Sequence, residues 1–167
     1  MPGPDPASTA LTVEVVARPT DRAAVRGLGR WLAGIAPAAA RGRMTIAVVS
    51  DARMRALNGR FRGLERPTDV LSFPAGRPAG RSRRSGPAEL GEIAIARGVA
   101  ARQARRAGHG VGVEFKVLAL HGLLHLMGYD HERDRGQMAR LERRLRRKAG
   151  LHGGLIERAR AWSATRP

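Results

Sequence analysis

Between Leu120 and His131 the chain reads Leu-His-Gly-Leu-Leu-His-Leu-Met-Gly-Tyr-Asp-His, and no other stretch restricts the fold as strongly. His121 and His125 stand four apart in an apolar run of helical character. On a helix that spacing stacks two side chains on one face, roughly 5–6 Å apart at Cβ. Gly128 follows within a turn, where helices often end in a left-handed residue that glycine adopts without strain. The chain can then turn back and bring His131 to the other two. A single histidine here would read as a hydrogen-bonded core residue. Three, with a glycine at the return point, read as a metal site with one coordination position left for water. Imidazole suits zinc and other divalent transition metals, so the expected cofactor is one zinc ion, or a similar cation, on His121, His125 and His131.

The histidines and Gly128 follow the H-x-x-x-H-x-x-G-x-x-H frame of the elongated zinc motif, with one departure. Metalloproteases place glutamate directly after the first histidine, as the base that activates water. Here that position is Gly122, which has no side chain. A metallopeptidase is therefore disfavoured, although metal-assisted hydrolysis does not strictly need a glutamate. The nearby carboxylates are Asp130, Glu132 and Asp134. Orienting the imidazoles through hydrogen bonds, or capping a helix, suits them better than direct acid/base work.

Elsewhere the patterning predicts β, α, β, α, β, β, α, α, α. Leu11–Ala17 reads as a strand, and Thr20 or Asp21 can cap a helix running to about Ile35, ended by Pro37. Met44–Ser50 is a near-continuous apolar run, typical of a strand buried on both faces. Ser50 or Asp51 then caps a short helix through Asn58. A loop follows, with Arg62-Gly63-Leu64-Glu65-Arg66-Pro67, before a strand at Asp69–Phe73. Leu90–Ala96 is another strand. Helices are expected at Arg97–Ala107, at Val111–Met127 with the histidines, and at Arg135–Ala149. This order describes an α/β fold of α+β type, one domain over residues 11–151, with a layered sheet covered by helices. Residues 1–10 are expected to be a disordered tail, 75–89 a mobile basic loop, and 152–167 a tail or short helix.

Composition enters at two points. With no cysteine, thiolate metal sites and disulfides are excluded. The formal charge is +17, from 31 Lys+Arg against 14 Asp+Glu, which points to a polyanionic partner such as nucleic acid. Nearly all the basic residues are arginine, and such usage can also reflect a GC-rich genome. In the 75–89 loop, Arg77, Arg81, Arg83 and Arg84 either steer a nucleic acid through phosphate contacts or form a solvated surface. No apolar run reaches the ~18–20 residues of a membrane span, and the N-terminus lacks the pattern of a secretory signal, so the expected location is cytoplasmic.

Three blocks of the chain resemble the YbeY family, bacterial metal-dependent endoribonucleases of ribosomal RNA maturation. One is His-Gly-Leu-Leu-His-Leu-Met-Gly-Tyr-Asp-His at 121–131. The second runs through Leu57-Asn58, Phe61-Arg62-Gly63 and Pro67-Thr68-Asp69-Val70-Leu71-Ser72-Phe73-Pro74. The third is Leu90-Gly91-Glu92-Ile93-Ala94-Ile95. The order and spacing of the blocks agree, over about Val13 to Leu151. The resemblance implies a small mixed sheet of about four strands packed with about five helices, and a metal at the mouth of a basic cleft. It implies single-strand endoribonucleolytic cleavage, used in maturing the 3′ end of 16S rRNA and in ribosome quality control. It also implies that Arg62 is functionally important beside the metal, so Arg62 and His121 become the candidate catalytic residues. From the residues alone, Arg62 would more readily be assigned a surface salt bridge to Glu65 or Asp69. The alternatives are a non-catalytic RNA-binding ribosome-assembly factor with a structural metal, and the metallopeptidase disfavoured by Gly122.

Overall fold

The computed structural model describes residues 10–76, 88–156 and Arg158, and its elements follow in the predicted order. They are β1 (Thr12–Val16), α1 (Leu28–Ile35), β2 (Arg43–Val49), α2 (Asp51–Arg62), β3 (Val70–Pro74), β4 (Glu89–Ala96), α3 (Arg97–Ala107), α4 (Val111–Leu126) and α5 (Gln137–Lys148). The four strands form one mixed sheet in the order β1-β2-β4-β3. β1, β2 and β4 run parallel, and β3 pairs antiparallel with β4 at the edge. The single-domain mixed sheet with helices around it matches the expected fold class. The expected N-terminal tail, most of the 75–89 loop with Arg77, Arg81, Arg83 and Arg84, and most of the C-terminal tail lie outside the described residues.

The sheet is covered unequally. On one face Met44, Ile46, Val48, Ile93 and Ile95 pack with α1, α4 and α5 into the main core. On the other face Leu71, Ala94 and Ala96 meet Met54 of α2 in a smaller cluster. β2 therefore alternates between fully buried and half-buried residues, and is not sealed equally on both sides as its apolar run suggests. α4 is buried from Glu114 to Leu124 on nearly every side because it lies between the sheet and the helices α1, α3 and α5.

Three local expectations change. The helix predicted from Thr20 begins only at Leu28, after Gly27 with φ +73°. Asp21 does not cap it. Its carboxylate is buried and accepts a hydrogen bond from Arg97 at the start of α3. α2 runs past Asn58 to Arg62, where Gly63 at φ +69° stops it, so Arg62 sits on the last turn of a helix and not in a loop. Ser50 caps α2, accepting from the Arg53 N–H at 3.1 Å. Asp51 instead caps α3, accepting from the N–H groups of Gly98 and Val99 at 2.8 and 3.1 Å.

Candidate metal centre

The C-terminal turns of α4 carry His121 and His125 one above the other, as the four-residue spacing dictates. α4 ends at Leu126. Gly128, at φ +92°, turns the chain, and its N–H bonds to the His125 carbonyl at 2.9 Å. The return loop is held by Asp130, whose carbonyl accepts from the N–H groups of Arg133 and Asp134 at 3.1 and 2.8 Å. This places His131 against the other two. The ring centroids form a nearly equilateral triangle with sides of 4.7, 5.2 and 5.3 Å. One nitrogen from each ring lies within 4.8 Å of the other two.

The donor set fits a tetrahedral cation. Nε2 of His121 and Nε2 of His125 are 3.1 Å apart. Two nitrogens bound to one zinc at ~2.0–2.1 Å with tetrahedral angles would stand about 3.3 Å apart. His121 Nδ1 lies 3.1 Å from Glu142 Oε1, which leaves Nε2 facing its neighbours. His131 Nδ1 is buried and has no hydrogen-bond partner among the described residues. Burial, and then the neighbouring His121 and His131, lower the pKa of His125 to about 4. Its imidazole is therefore neutral, with a lone pair available, at ordinary pH.

Glu142 is the partner that sequence reasoning missed. Its carboxylate and His121 are both buried, at 1% and 4% exposure. The signal was present: Glu142 is the one acid in the basic helix α5, and it falls on the apolar face with Met138, Leu141 and Leu145. Asp130 and Glu132 line the cleft, but neither hydrogen-bonds an imidazole among the described residues. Asp130 accepts from the Glu132 N–H at 3.0 Å and stands 3.5 Å from Arg133, which steadies the return loop. Asp134 caps α5, accepting from the N–H groups of Gly136, Gln137 and Met138.

The three histidines open into a cleft of about 660 Å³. Its far wall is β3, which is tied to α4 by a hydrogen bond from Ser72 Oγ to the Gly122 carbonyl at 3.1 Å. Arg62 reaches the same cleft from the end of α2. Among the described residues it pairs with neither Glu65 nor Asp69. Glu65 stands 3.8 Å from Arg55, and Asp69 takes bonds from Val70 and Gln103. Gly122 itself faces the sheet. A Cβ there would meet Ile93 Cδ1 at 2.8 Å, so this position could not deliver a carboxylate to the histidines. Arg77, Arg81, Arg83 and Arg84 lie outside the described residues.

Comparison with known proteins gives a consistent result. The family model described as Endoribonuclease YbeY matches residues 22–150. The chain is 49% identical to a Solibacter usitatus protein described as endoribonuclease YbeY, covering 68% of this chain and 71% of that protein. A Koribacter versatilis protein of the same description is 45% identical, covering 72% and 74%. The solution structure of a Thermotoga maritima protein is similar at a TM-score of 0.57 and 25% identity, covering 83% of this chain and 89% of that one.

Proposed function

The chain belongs to the endoribonuclease YbeY family, and on that premise we propose that it is a metal-dependent endoribonuclease cutting single-stranded RNA at the histidine cleft. Its substrate is the precursor of 16S rRNA, whose 3′ end it matures in the cytoplasm on the small ribosomal subunit, and it serves ribosome quality control. No helix among the described residues is long and apolar enough to cross a membrane.

One observation carries this reading: three convergent imidazoles share one cleft with an arginine that pairs with no carboxylate among the described residues. His121, His125 and His131 would hold one zinc ion, or another divalent transition metal. Bound there, the ion would act as a Lewis acid toward a phosphoryl oxygen. Cleavage of a phosphodiester builds negative charge on those oxygens, so cationic groups aimed at them lower the barrier. Arg62 supplies a planar guanidinium that can take two phosphate oxygens at once, which lysine would not reproduce. Glu142 holds the His121 ring and directs its Nδ1 proton away from the cleft.

The test is cleavage of a single-stranded RNA oligonucleotide by protein stripped of metal and then reloaded with zinc. Stripping, or His125→Ala, is expected to abolish cutting, and reloading restores only the wild type. Arg62→Glu should keep the metal and lose roughly 10²–10³ in rate, the usual effect of deleting one charge-stabilising donor. Undiminished cutting by metal-free protein would overturn the proposal. Tight rRNA binding without cleavage under any metal would favour the assembly factor, and chelator-sensitive peptide hydrolysis the peptidase.

A further inference from the structure

The histidine cleft is not closed at its α5 side. It shares Gly128, Tyr129, Asp130 and Arg133 with a second depression, which in turn shares Tyr129 and Gln137 with a third. All three meet at Tyr129, the one tyrosine of the chain. The third depression lies on α5 and is lined by Gln137, Arg140, Leu141 and Arg144. Gln137, Arg140 and Arg144 stand at offsets of zero, three and seven, one face of a helix about 10 Å long at 1.5 Å per residue. A continuous groove therefore leaves the cleft, passes a half-buried aromatic ring and follows a cationic helix face.

The charge of that face is not compensated from within its helix. The one acid of α5, Glu142, is turned inward against His121. Arg144 is exposed and pairs with no carboxylate among the described residues. Arg140 is also exposed. One of its Nη atoms donates to the Arg135 carbonyl at 3.1 Å; its acidic neighbour Asp134 attracts it electrostatically, but turns its oxygens to three backbone N–H groups and forms no ion pair with it among the described residues. A cationic groove with an aromatic face at its elbow matches how single strands are bound without sequence readout: phosphates on arginines, a base on the ring.

We propose that single-stranded RNA enters or leaves the histidine cleft past Tyr129 and runs along the outer face of α5 over Arg140 and Arg144. The inference rests on the endoribonuclease reading and adds the path of the strand. An ordinary solvated helix face is the competing account, and the two differ in whether position matters or only net charge.

The experiment compares zinc-loaded variants binding a fluorescent twelve-nucleotide single-stranded RNA across a salt series. Arg140→Glu with Arg144→Glu reverses two charges in the groove. Arg105→Glu with Arg106→Glu reverses two exposed charges on α3, away from it. Zinc content and melting temperature confirm that each variant is folded. The groove pair should weaken binding roughly tenfold or more and flatten the log–log salt slope by about 1.4, at ~0.7 per phosphate contact, while the α3 pair changes both little. Tyr129→Leu should lose roughly fivefold or more, the low end for one stacked base, and Tyr129→Phe should bind as the wild type. Equal losses from the two arginine pairs, or no loss from the groove pair, would overturn the path while leaving the activity intact. A wild type that neither binds nor cuts RNA would instead overturn the endoribonuclease reading, and the path with it.

Discussion

Nδ1 of His121 stands 3.1 Å from a carboxylate oxygen of Glu142, twenty-one residues further along the chain, and both side chains are buried. The pair joins α4, the helix that carries two candidate ligands, to α5. It fixes which nitrogen of His121 faces the cleft, because a ring whose Nδ1–H donates to a carboxylate presents the Nε2 lone pair on the other side.

Glu142→Gln keeps the shape and removes the charge. Its amide can still accept a hydrogen bond through the carbonyl oxygen, but no longer raises the basicity of the imidazole. Zinc affinity, measured by competition with a chromophoric chelator, should fall roughly 10–100-fold with the fold retained. Unchanged affinity would show that the pair only fills space.

Gly122 is required by packing. Alanine there adds a methyl 2.8 Å from Ile93 Cδ1 in a filled core. Overpacking of this kind costs about 1–3 kcal/mol and the gain in helix propensity returns about 1, so Gly122→Ala should be destabilising by up to roughly 2 kcal/mol. Ile93→Val removes the nearest atom. In urea unfolding, the double variant should therefore be more stable than the sum of the two single effects, and strict additivity would contradict the clash.

Glu114 has no exposed surface, and its carboxylate takes both terminal nitrogens of Arg158, at 2.6 and 2.9 Å, and stands 3.1 Å from His109 Nε2. Two residues before Arg158, Ile156 is buried in the core and, with Leu155, lines the histidine cleft. Arg158→Ala should cost roughly 3–5 kcal/mol, because it strands a buried charge. Glu114→Gln combined with Arg158→Leu removes both charges and should recover most of that loss. If the single variant melts like the wild type, the pair does not hold the segment down.

Asp134 gives a pH dependence of defined sign. The N–H of Met138 foremost, then those of Gly136 and Gln137, hold its carboxyl below the usual value of 3.8. A carboxyl depressed in the folded state stabilises above its unfolded pKa, and that contribution is lost as pH falls through the folded value. Asp134→Ala should therefore melt below the wild type at neutral pH, with the gap closing as pH drops under about 4. A gap that is constant across the acid range would assign the effect to something other than the carboxylate.

The order of elements, the metal frame and the case against a peptidase were all legible in the sequence. Hydrophobic period, capping residues and a four-residue histidine spacing are written within one or two helical turns, so each can be read without knowing what packs where. The same locality explains the misreadings. Asp21 and Asp51 look like caps for the segments that follow them, yet both serve α3, at Arg97 and at the Gly98 and Val99 N–H groups. Arg62 reads as a loop residue because α2 carries only a few inward apolar positions near its end, and Gly63 rather than Asn58 stops it.

What the sequence determined alone is that three imidazoles can meet at the end of α4 and that the residue after the first of them is no base. Tertiary structure decided what surrounds them: Glu142 behind His121, Ile93 filling the space beside Gly122, Arg62 in the same cleft, and a groove leading past Tyr129 onto α5. These pairings join residues far apart in the chain. They follow from how α4 docks between the sheet and α5, a balance of burial over many side chains that no short stretch encodes.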